Sequence, residues 1–254
     1  MNTIKLLRNL SIYFPKSIAE KGDYVGLMTG KLKKDTNKIL LCLDFDEQVL
    51  PIAIKEKPDL ILTHHPFIYG TRYRVMKASV EKSSLINKID ELDIPVYSMH
   101  TNFDTGKNGM NDALAEALNL TNIVPLLGCK MARGGQFEHE MNIIDFAKYA
   151  TKALHVNNAW LINSGKKSIK SVAIIGGGGW YEYPTAKDEG YDIFISGDIP
   201  HHGRRDIIAA KYNYLDMPHE IEKIFVPRMH SIIKSIDKNI EIIDVDHEKE
   251  PILI

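Results

Sequence analysis

Apolar residues recur along this chain in two alternating rhythms. Near the start they fall at Ile4, Leu6, Leu7, Leu10 and Ile12, a spacing that predicts a helix. Short apolar, β-prone runs follow at residues 39–43, 60–62 and 96–99, of strand rather than helix length. Between them, residues 49–57 and 79–92 have helical character, the second with Leu85, Ile86, Ile89 and Leu92 along one side. Strands alternating with helices predict an α/β fold with a largely parallel sheet.

The rhythm restarts after an Ala- and Leu-rich helix at residues 111–120. Residues 141–153 read as a helix, 159–162, 171–175 and 193–196 as strands, and 185–190 as the end of a short helix. Two α/β lobes are therefore expected: residues 1–125, completed by 220–254, and residues 126–219. The boundary is expected near 123–135, where Pro125, Gly128 and the Gly134-Gly135 pair interrupt the periodicity. Residues 221–236 carry a helical stripe through Ile224, Phe225, Met229, Ile232 and Ile233, with Pro227 expected to kink or split it. A last strand, at 240–245, is available to the sheet of the first lobe.

Composition narrows the function classes more than the fold. A net charge of -1 gives no electrostatic argument for nucleic-acid binding, and the short basic stretch at Lys166, Lys167 and Lys170 reads as a solvated loop. The first fifteen residues or so lack the apolar core of a leader, and no later stretch has membrane-spanning length. Cys42 lies inside an apolar run, far in sequence from Cys129, so buried thiols are expected rather than a disulfide or a Cys-based zinc site. A reducing cytoplasm is the expected compartment.

Candidate chemistry sits at the ends of the predicted elements. His64 and His65 follow the run 60–62 and are closed off by Pro66. Side chains alternate along a strand, so adjacent histidines can serve one centre only where the strand has ended and the backbone turns. His100 directly follows the run 96–99, with Asp104 in the loop beyond. Further clusters are Gly197-Asp198-Ile199-Pro200-His201-His202 and His219-Glu220-Ile221-Glu222. His219 and Glu222 stand three apart, on one face of a helix if Pro218 marks its start. Imidazole and carboxylate without thiolate is the ligand set of a first-row divalent ion. Taken singly, each histidine is most simply a surface or satisfied core residue; the joint placement at element ends favours a metal site. His139, His155, His230 and His247 lack such settings.

The strings LTHHPFIY, MHTNFDTGKNGMND, AIIGGGGW, ISGDIPHH and PHEIEKIF, in this order and spacing, resemble the bacterial GTP cyclohydrolase I type 2 homologues, also called Nif-three-like proteins. The resemblance runs from the first helix to about Phe225. It implies two interlinked α/β lobes with a dinuclear metal site in the cleft between them, in a ring-shaped homohexamer. It also implies the ligands: His64, His65, Asp104, His219 and Glu222, with Glu222 bridging and Glu220 an exposed helix residue. His100 and His202 match positions that line the site without being principal ligands, and the implied role is support of the ligands or proton transfer. The family usually has glycine before the helix-start histidine, where this chain has Pro218. Two divalent ions are expected, of zinc, iron, manganese, cobalt or nickel.

Gly176 to Gly179 follow an apolar strand without the Lys-Ser/Thr pair of a phosphate-binding loop, so a permissive turn lining the site is preferred to a phosphate cradle. Trp180 and Tyr181 beside it could stack a ring or pack. The functional expectation is metal-assisted hydrolysis of a small phosphate-bearing or heterocyclic substrate. The alternative is a non-catalytic ring protein that binds or delivers metal.

Overall fold

The computed structural model describes residues 1–252 of the chain, which divides into two compact units. The first comprises Met1–Lys107 and Phe225–Glu248. It contains α1 (Thr3–Tyr13), β1 (Gly26–Thr29), β2 (Lys38–Cys42), α2 (Leu50–Glu56), β3 (Leu60–Thr63), α3 (Arg72–Ala78), α4 (Val80–Glu91), β4 (Val96–Ser98), α5 (Thr101–Thr105), α10 (Phe225–Ile236) and β11 (Glu241–Val245). Its sheet has the order β1-β4-β3-β2-β11. All neighbours run parallel except the edge strand β1.

Every residue of β3 is buried, as are Ile39 to Cys42 of β2. A parallel sheet covered on both faces needs apolar side chains at every position, which is why these strands read as runs rather than alternations. Leu40, Ile61 and Val96 meet Ile86 and Ile89 of α4 in the core. The helix starts are locally encoded: Asn2 Oδ1 accepts from Lys5 N at 3.1 Å, and Ser79 Oγ from Lys82 N at 3.0 Å. The strand expected at 240–245 is β11, whose Val245 lies opposite Cys42 of β2. The stripe at 221–236 is divided between two helical elements, as one of the two expectations has it, but the break falls before Pro227. A 3-10 turn, His219–Ile224, precedes α10, and Pro227 falls in the first turn of α10. N–H groups there have no intrahelical acceptor to lose, so proline is accommodated at this position.

The second unit comprises Asn108–Ile224 and the segment from Lys249. It contains α6 (Met110–Ala117), β5 (Thr121–Pro125), β6 (Arg133–Asn142), α7 (Ile143–Ala153), β7 (Trp160–Asn163), β8 (Ser168–Ile174), α8 (Tyr183–Asp188), β9 (Ile193–Ser196), α9 (His201–Ala209) and β10 (Asn213–Asp216). The sheet order is β5-β6-β8-β9-β10-β7, with β8, β9 and β10 mutually parallel at its centre and the outer pairs antiparallel. The stretch 123–135 runs through β5 and β6, which pair antiparallel. Gly134 is a strand glycine for packing: a Cβ there would lie 1.9 Å from Tyr191 Oη. Beside it, Arg133 is buried with its Nε 2.6 Å from Asp112 Oδ1, and its Nη1 donates to the carbonyls of Lys130 and Met131.

Candidate metal centre

In the first unit the chemistry collects at the carboxyl ends of β2, β3 and β4, where parallel sheets hold their ligands. The backbone N–H groups of His64 and His65 both donate to Leu43 O, at 3.2 and 3.1 Å. That shared acceptor ends the ladder and turns the chain, as the adjacent-histidine argument requires. The ring centroids of His64 and His65 are 4.9 Å apart, and that of His100 is 5.2 and 5.8 Å from them. These three residues can each offer a nitrogen lying within 4.8 Å of the other two.

Each ring is held by its Nδ1. His64 Nδ1 lies 2.9 Å from Met99 O, and because a carbonyl can only accept, this nitrogen carries a proton and donates it. His65 Nδ1 is 2.6 Å from Asp44 Oδ2, and His100 Nδ1 is 2.8 Å from Asp23 Oδ1. Burial raises the Asp23 carboxyl, but hydrogen bonds from His100 and Thr101 and the His100 charge outweigh it and hold Asp23 well below the carboxylate range. Asp44 follows the same balance, with His65 lowering what burial raises. Asp104, in α5, places Oδ1 3.6 Å from His64 Nε2. Two ligand atoms about 2.1 Å from one tetrahedral ion stand about 3.4 Å apart, so this separation suits a shared ion better than a hydrogen bond. Phe103 and Phe225 pack against the fully buried His64 ring.

In the second unit a comparable collection lies at the carboxyl ends of β8, β9 and β10. His219 opens the 3-10 turn after β10, and Glu222 follows three residues later. At three residues per turn, positions i and i+3 eclipse, which aligns the two side chains more closely than an α-helix would. His219 Nδ1 is 2.6 Å from Asp198 Oδ2, and its Nε2 is 3.1 Å from Glu222 Oε2. The hydrogen bonds to Asp198 and Glu222 push His219 up to about 11 despite burial, so in the absence of an ion this pair holds a proton as its positive charge. Asp198 itself adopts φ +57, a left-handed conformation aspartate tolerates and one that concentrates at functional sites.

The glycine run is the permissive turn expected. Gly177 has φ +61, and a Cβ there would stand 2.5 Å from Glu222 Oε1, so the run gives space to that carboxylate. Gly176 N donates to Asn111 Oδ1 at 2.7 Å, and Gly177 O accepts from Gly197 N at 2.7 Å. Trp180 packs against the core of this unit, and Tyr181 is exposed.

His64, His65, His100 and Asp104 are thus brought together in the first unit, and His219 and Glu222 in the second. His202 is exposed on α9, its ring 5.3 Å from that of Trp180. Glu220 is half-buried rather than exposed, because the 3-10 turn points it into a cavity instead of outward from an α-helix. Sequence reasoning missed Asp23, Asp44 and the role of Asp198 beside its histidine. Asp44 and Asp198 had a signal, since each closely follows a strand run; Asp23 had none.

A family model for DUF34/NIF3 (NGG1p interacting factor 3) matches residues 1–251. The chain belongs to this family. A relative from Methanocaldococcus jannaschii described as a GTP cyclohydrolase 1 type 2 homolog is 30% identical over 257 residues, covering 97% of this chain and 100% of the relative. One of the same description from Clostridium perfringens is 29% identical over 245 residues, covering 93% of each. Among solved structures, a Staphylococcus aureus hypothetical protein superposes with TM-score 0.89 at 25% identity, covering 100% of this chain and 99% of that one. Reduced HcgD from M. jannaschii superposes with TM-score 0.81 at 28% identity, covering 97% and 98%.

Proposed function

We propose that this chain binds two divalent metal ions and uses them to hydrolyse a small phosphate-bearing or heterocyclic substrate. In this reading His64, His65 and Asp104 from the first unit and His219 and Glu222 from the second serve one dinuclear centre, with Glu222 bridging. Zinc, iron, manganese, cobalt and nickel all suit imidazole and carboxylate donors. The observation that carries the reading is the common setting of the three ligand imidazoles. His64, His65 and His219 each have Nδ1 engaged by a carbonyl or carboxylate. Metal-ligating histidines are oriented in this manner, with the remaining nitrogen turned to the ion and made more basic.

Bound ions would lower the pKa of water and stabilise charge on the attacked and leaving oxygens. The chain's own residues supply the rest. In this reading His100, whose Nδ1 lies 2.8 Å from Asp23 Oδ1, takes and returns a proton at Nε2. His202 is a second proton carrier on the strength of the resemblance alone. The ring-shaped homohexamer belongs to the same proposal, and light scattering of the purified protein tests it.

The relatives' description suggests ring opening of GTP; that rests on their description and not on a site. The experiment is a turnover screen of protein loaded in turn with each of the five metals, against nucleotides, phosphoesters and cyclic amides. Metal-dependent hydrolysis lost in His100→Ala, with metal retained, is the expected result. No turnover of any substrate by fully loaded protein would overturn the hydrolase reading.

A further inference from the structure

The second unit contains a cavity of about 470 Å³ whose wall includes His219 and the Asp198 that holds it. Its size is that of a small-molecule pocket. Two further features of the wall are flat. The indole of Trp160 is 56% exposed, and the Arg204 guanidinium lies 4.4 Å from its ring centroid. Trp160 is on the edge strand β7.

The charges of the wall are unbalanced. Its cationic groups among the described residues are Arg204 and the proton-holding His219, against the four carboxylates of Asp198, Asp216, Glu220 and Glu250. Asp198 is engaged by His219, and Glu250 accepts from Asn157 N at 2.9 Å. Asp216 makes one long contact with Arg204, at 3.3 Å, and one with Ile199 N, at 3.4 Å. The Glu220 carboxylate makes no hydrogen bond or ion pair with any described residue. A wall of this kind repels an oxyanion and offers acceptors to N–H donors.

We propose that this cavity takes the planar nitrogen heterocycle of the substrate, with Trp160 and the stacked guanidinium as its flat wall and Glu220 and Asp216 as acceptors for its N–H groups. A phosphate, where the substrate carries one, stays outside. The inference deepens the proposed function by selecting the heterocycle as the recognised part, and relies on that reading only for the place of the cavity beside His219. Glu220 thereby has a role of its own, distinct from metal ligation.

The test is isothermal titration of the full chain with guanosine, adenosine and pterin, flat N–H-bearing probes without phosphate, and separately with inorganic phosphate. Metal content is measured on the same samples. At least one heterocycle should bind, and Trp160→Ala and Glu220→Gln should each weaken it roughly tenfold or more while leaving metal content unchanged. The inference is overturned if none of the three binds more tightly than phosphate, if neither substitution alters binding, or if Glu220→Gln releases metal. A parent chain that holds no metal yet binds a heterocycle through Trp160 and Glu220 would end the proposed function and leave this inference standing.

Discussion

His65 donates its Nδ1 hydrogen to Asp44 Oδ2 across 2.6 Å, joining the second residue after β3 to the second after β2. The contact fixes the ring about its Cβ–Cγ bond. Asp44→Ala should therefore lower metal affinity roughly 10- to 100-fold without removing any ligand. Competition with a chromogenic chelator measures it; unchanged affinity would mean that Asp44 does not position His65.

Gly177 should not tolerate a side chain. Its φ of +61 adds backbone strain for alanine, and the new Cβ would stand 2.5 Å from Glu222 Oε1. Gly190 provides the control, since its φ is +86 but nothing lies within 4 Å of a Cβ there. Both alanine variants should lose about 1 to 2 kcal/mol of stability, and Gly177→Ala alone should lose bound metal. Equal metal content in the two variants would remove the link between the glycine turn and Glu222.

The Asp216 carboxyl supplies a pH dependence. Burial raises it to about 6, against the lowering effects of the Ile199 N–H and Arg204. The folded value lies above the unfolded one, about 3.9, so its contribution to stability is fully present below that pH and is lost as pH rises through about 6. Asp216→Asn does not ionise and should gain stability relative to the parent between pH 4 and pH 7, by no more than about 3 kcal/mol. Urea unfolding of both proteins at the two pH values measures the difference, and parallel profiles would contradict it.

Arg133 is a buried cation satisfied by Asp112 and by backbone carbonyls. Asp112→Ala removes its counter-charge and should cost about 3 to 5 kcal/mol, because the guanidinium stays buried without its carboxylate. A shift in the denaturant midpoint of less than a third of that would mean that water reaches Arg133.

The parts of the fold that the sequence made legible are those where burial is two-sided or periodic. Residues 39–43 and 60–62 announce central strands because both faces are covered, and His64-His65-Pro66 announces the strand end. β10 was not foreseen because Asn213 and Asp216 interrupt a short apolar pair, and β6 because its outer half, Glu138 to Glu140, is exposed and does not alternate. The histidines were legible and most of their carboxylate partners were not. Asp23 lies 77 residues from His100, and only the folded chain brings them together. His219 and Glu222 were legible as a pair, but the 3-10 form of their turn was not, since spacing i and i+3 fits either helix.

Elemental analysis of protein purified without chelator tests the central claim most directly, comparing the parent with His64→Ala and Glu222→Ala. A dinuclear centre drawing ligands from both groups predicts about two ions per chain in the parent and fewer in each variant. A parent that holds no ion even after reconstitution, or variants that retain the parent's full content, would contradict it.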